Sequence, residues 1–81
     1  MKMYIFKSDA AEQIGKAGLT QAEIARRCGL DKSNLHKKIT LRPRIRLSTA
    51  ARFATAFAEL THVTQAQAMA QLFDEAEEAQ D

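Results

Sequence analysis

Between Thr20 and Thr40 the sequence TQAEIARRCGLDKSNLHKKIT leaves the backbone little choice. Thr20 stands three residues before Glu23, the spacing at which a helix-opening hydroxyl and a third-position carboxylate satisfy each other's backbone N–H groups. A helix therefore starts near Gln21. Ile24, Ala25 and Cys28 form its apolar stripe, and after about two turns Gly29 offers the positive φ at which a helix ends. Leu30 is the apolar residue of the turn. Asp31 is placed to cap a second helix, in which Leu35 and Ile39, four apart, share the inward face. Lys32, Ser33, Asn34, His36 and Lys37 are left for the outward face.

Two short helices joined by a glycine-containing turn make a helix-turn-helix, whose second helix can enter the major groove of DNA. In Gln21, Ile24-Ala25, Cys28-Gly29-Leu30 and Leu35 the stretch resembles the Cro/repressor-like (XRE-type) helix-turn-helix family of bacteria and phages. In that family the position of Ala25 lets two helices touch closely, and that of Gly29 makes the turn. One position departs from the pattern. Three residues after Leu35, where the family usually carries an apolar residue, this chain has Lys38, followed by Ile39. Either the second helix is rotated slightly or Ile39 alone plugs the inner end.

Eighty-one residues make one domain, near the size at which a single core still stabilises a fold without staples. With no Trp and five aromatic residues, the core must be mostly Ala, Leu, Ile and Phe. The single cysteine, Cys28, excludes an intramolecular disulfide and reads as a small buried apolar residue. His36 and His62 lack the spacing of metal ligands, so no metal and no cofactor is expected. The apolar run at Met3–Phe6 is far too short for a signal peptide or a membrane span, and a cytoplasmic, nucleoid-associated protein is expected.

The net charge of +2 conceals a strong partition. Residues 1–73 hold all twelve Lys and Arg against five acidic residues, a balance of +7; residues 74–81 hold the other five acidic residues and no base, −5. From Arg26 to Arg46 there are eight basic residues against Asp31 alone. A charge run is often just a solvated face, but its coincidence with a helix-turn-helix points to phosphate contact.

Along the rest of the chain, Met3–Phe6 and Arg42–Leu47 are β-prone, able to pair within a protomer or across a dimer. Ser8 or Asp9 can cap a first helix running to about Lys16 or Ala17, with Ala10, Ile14 and Ala17 inward. Ser48 is placed to cap a helix from Thr49 to about Leu60, with Ala50, Phe53, Ala54, Phe57 and Leu60 inward. Thr64 and Gln67 form a second capping box, opening a last helix with Ala68, Met69, Leu72, Phe73 and Ala76 on one face. The expected fold is all-α, a compact four- to five-helix domain with a central helix-turn-helix and room for a short N-terminal strand. Residues 1–73 form the domain and 74–81 an acidic tail, frayed because acids at a helix C-terminus oppose the macrodipole.

For function, Gln21, Lys32, Ser33, Asn34, His36 and Lys37 are the expected base-reading set, Gln21 by its match to the family's glutamine and the others by their outward place on the second helix. Thr20, Arg26, Lys38, Arg42, Arg44 and Arg46 are the expected phosphate contacts, the last three because alternate side chains of an extended segment share a side. Met69, Leu72 and Phe73 are candidates for a homodimer interface. The leading expectation is a dimeric transcriptional repressor of phage or bacterial type on double-stranded DNA. The alternative is an antitoxin-like or adaptor module whose C-terminal helix binds a protein partner. Enzymatic function is not expected, since no paired-carboxylate, Ser-His-Asp, Cys-His or phosphate-loop pattern is present.

Overall fold

The structure, a computed structural model, describes residues 2–76. Five helices and a small sheet follow one another as β1 (Met3–Phe6), α1 (Ala10–Lys16), α2 (Gln21–Cys28), α3 (Lys32–Leu41), β2 (Ile45–Arg46), α4 (Leu47–Thr61), α5 (Gln65–Leu72) and β3 (Phe73–Ala76). The domain is mostly helical but not all-α. Its three strands form an antiparallel sheet in the order β2-β1-β3, with Tyr4 opposite Ile45 and Phe6 opposite Phe73.

The sheet joins segments from both ends of the chain through their aromatic residues. Tyr4, Phe6, Ile45 and Phe73 share one face by the period-two alternation of strands, and on it the Phe6 ring lies 4.4 Å from Phe73 and 5.6 Å from Phe53 of α4. Phe6, Phe53 and Phe57 are among the largest fully buried side chains, packed with Ile14, Ile24, Leu35, Leu72 and a set of alanines. Truncating Phe53 to Ala should therefore cost about 3–5 kcal/mol.

The expected helix through Phe73 to Ala76 is corrected to a strand. Beyond Leu72 a continued helix would place Asp74 and Glu75 at its negative end, whereas on β3 they meet Lys7 at 4.0 Å and Lys2 at 3.2 Å. Leu72 and Phe73 are buried inside the protomer's own core, so of the expected interface trio only Met69 keeps partial exposure. Residues 74–76 of the expected tail belong to β3; residues 77–81, on which the rest of that expectation falls, lie outside the described residues.

Smaller boundaries also move. Ala17 is exposed, and α4 starts at Leu47 rather than Thr49, with Arg46 at its N-cap, because Ile45-Arg46 pairs with β1 and hands the chain straight to the helix. Among the described residues, no helix is long and apolar enough to cross a membrane.

Candidate nucleic-acid interface

Helix α2 begins as its sequence dictates: Glu23 N donates to Thr20 Oγ1 at 3.2 Å, and Thr20 N donates to Glu23 Oε1 at 3.0 Å. Its end is fixed by Gly29 at φ 75, whose N–H returns to Arg26 O. Leu30 N donates to Ala25 O at 2.8 Å, turning the chain into α3. Asp31 takes the extended conformation of an N-cap, although its carboxylate makes no capping bond.

Three anchors hold the motif to the scaffold. Arg52 of α4 donates from Nη2 to Cys28 O at 2.7 Å, while Cys28 Sγ donates to Arg52 O at 3.6 Å; burial pushes the thiol up from its ordinary pKa, against the nearby Arg52 charge, and keeps it a packing group. Arg27 Nε meets Glu59 at 3.0 Å. At the far end of α3, Arg42 adopts the left-handed conformation (φ 53) and donates from Nε to Phe6 O at 2.8 Å, tying the helix to β1.

Leu35 and Ile39 are buried, so the opposite side of α3 is presented to solvent. Ile39 fills the inner end of the helix and Lys38 lies half-buried beside it. Ser33, His36, Lys37 and Thr40 then form one exposed stripe at i, i+3, i+4 and i+7. An open hollow between the starts of α2 and α3 is lined by Thr20, Gln21, Lys32, Ser33 and His36. The fold thus brings together Gln21, Lys32, Ser33 and His36 of the expected base-reading set, with Lys37 on the stripe and Asn34 exposed at its flank.

The expected phosphate set is divided. Arg44 and Arg46 flank the buried Ile45 and share the outer side of the chain that follows α3. Arg42 does not belong to that extended run, because it is the left-handed cap of α3 and its guanidinium is engaged with Phe6. Thr20 has both its N–H and its hydroxyl directed at Glu23, so it acts as a cap before it can act as a phosphate donor. Arg26 lies about 140° around α2 from Gln21, on a hollow with Glu23, Arg27 and Leu60, away from the α3 stripe. Among the described residues Lys32, Lys37, Lys38, Arg44 and Arg46 have no ion-pair partner. No three His, Cys, Asp or Glu of the described residues come together to hold a metal ion.

Sequence reasoning missed one link in this surface. His36 Nδ1 lies 3.2 Å from Gln21 Oε1, and His36 Nε2 lies 3.4 Å from Thr40 Oγ1. The His36–Thr40 half was visible as an i,i+4 pair; the half to Gln21 depends on how α2 and α3 cross. Compared with protein-family models, with curated proteins and with solved structures, the chain matches none.

Proposed function

We propose that this protein is a sequence-specific double-stranded DNA-binding regulator of transcription, acting as a homodimer that lays α3 in the major groove of a palindromic operator. The observation that carries the reading is the exposed α3 stripe, backed by buried Leu35 and Ile39, with Lys37 on it and Lys32, Lys38, Arg44 and Arg46 around it, all five without ion-pair partners among the described residues. Ser33 and Lys37 on the stripe and Lys32 beside it reach base edges, while Lys38, Arg44 and Arg46 hold phosphates and fix the register. The biological setting we infer is a phage or bacterial repressor without catalytic function, working in the cytoplasm at the nucleoid. The resemblance of Gln21 through Leu35 to Cro/repressor-like motifs supports that setting. The burial of Leu72 and Phe73 in the core takes them from any interface on the C-terminal helix, with a protein partner or with a second copy.

Selection of a randomised duplex pool at two salt concentrations tests the reading. Enrichment of a palindrome with half-sites about 34–36 Å apart, bound more weakly as salt rises, is the expected result. Salt-sensitive binding with no enriched sequence would remove the claim of base reading.

A further inference from the structure

We infer that His36 is a positioning residue that engages the Gln21 amide oxygen and leaves its amide N–H groups free, so that Gln21 favours an acceptor-only partner on DNA; this rests on the DNA-binding reading above. For a neutral ring facing the amide oxygen, the hydrogen bonds take one direction. The Gln21 amide oxygen can only accept, so His36 Nδ1 at 3.2 Å must donate to it. A neutral ring that carries its proton on Nδ1 has a lone pair on Nε2, and the Thr40 hydroxyl at 3.4 Å donates into it. Protons therefore run from Thr40 to His36 to Gln21. What Gln21 has wholly free is an NH2 group with two donors, since its oxygen is already engaged.

The surroundings reinforce this polarity. Lys32, which shares the hollow, carries three donors and no acceptor, and the Thr20 hydroxyl is directed at Glu23. A glutamine with both ends free makes a bidentate pair with adenine, accepting from N6 and donating to N7. Gln21 can complete that pair only by sharing with adenine an oxygen that His36 already engages. Two donors match guanine, which shows acceptors at N7 and O6, or an oxygen of the phosphate backbone. The shared chemistry is an acceptor-only partner, and base preference separates its two sources.

Duplex selection followed by affinity measurement on wild type, His36→Ala, Gln21→Ala and the double variant makes the test. His36 is exposed and outside the core, so its truncation leaves the fold in place. If Gln21 meets guanine, Gln21→Ala makes one base position indifferent, and His36→Ala, by freeing the amide oxygen, moves that same position toward adenine by roughly tenfold. If Gln21 meets a phosphate, both variants weaken all sequences alike and no base position changes. In both arms His36→Ala has no further effect once Gln21 is alanine. Additive effects, or a base position altered by His36→Ala and untouched by Gln21→Ala, would overturn the inference while leaving DNA binding intact. A wild-type protein that binds no duplex would overturn the DNA-binding reading and this inference together.

Discussion

Helices α2 and α5 begin alike and end differently. Each is eight residues long, and each opens on a threonine whose hydroxyl accepts from the third-residue N–H while that residue's side chain takes the threonine's own N–H. α2 then stops at Gly29, where the backbone reaches φ 75 without a Cβ to oppose it. α5 meets no glycine; the chain turns extended at Phe73, φ −128 and ψ 149, directly after Leu72. The start of a helix is a matter of four residues in both. The stop is local in α2, whereas in α5 it is imposed from the opposite end of the chain, by the Phe6 ring, the β1 ladder and the Lys7 N–H on Leu72 O at 2.8 Å.

The sharpest way to break this contrast is Phe73→Ala. Phe73 is buried, so its loss should destabilise the domain by about 3–5 kcal/mol, read by urea unfolding followed by circular dichroism. The remaining Asp74, Glu75 and Ala76 are poor strand formers, and alanine favours a helix. Amide exchange at residues 74–76 should lose its strand protection. Protection that survives the substitution would mean that β3 is specified by its own residues and not by Phe6.

The same distinction explains what the sequence reveals about the molecule. The α2 cap, the Gly29 turn, the inward Leu35 and Ile39 and the Thr64 cap depend on residues within a few positions of one another, and all are readable in one dimension. Strand β3 is not, because its Asp-Glu-Ala composition speaks against a strand and what speaks for it is β1, nearly seventy residues away, through its ladder and the Phe6 ring. Arg42 is the corresponding case in the site. Its place in an alternating basic run marks it for a phosphate, yet the left-handed end of α3 delivers its guanidinium to Phe6 O. The Gln21–His36 contact is equally silent in sequence, since it exists only where α2 and α3 cross. Local signals therefore define the helix-turn-helix, and tertiary contacts decide which of its polar groups remain available.

Substitution at the local stop has a smaller expected effect. A Cβ at Gly29 meets no atom within 4 Å, so Gly29→Ala is opposed by the left-handed backbone alone and should cost about 1–2 kcal/mol. Gly29→Asn, which tolerates that conformation better, should recover part of the loss. Equal loss in both variants would point to packing and against φ as the cause. The shared start should respond equally in the two helices: Thr20→Ala and Thr64→Ala should each cost about 1 kcal/mol by urea denaturation. A cap effect at Thr64 that vanished when Phe73 was also removed would show that the start of α5 depends on its distant stop, which the symmetry of the two caps denies.

The smallest effect belongs to the charges that accompany β3. Lys2 and Glu75 meet at 3.2 Å with both side chains largely exposed, so the attraction works through solvent and is screened by salt. Lys2→Ala should change stability by no more than about 0.5 kcal/mol, and the change should disappear in high salt. That contrast with Phe73→Ala assigns the end of α5 to ring packing and the ladder, with the ion pairs serving to accommodate Asp74 and Glu75 after the strand has formed. If Lys2→Ala instead released the 74–76 amides to exchange as fully as Phe73→Ala does, electrostatic pairing would be the force that stops α5.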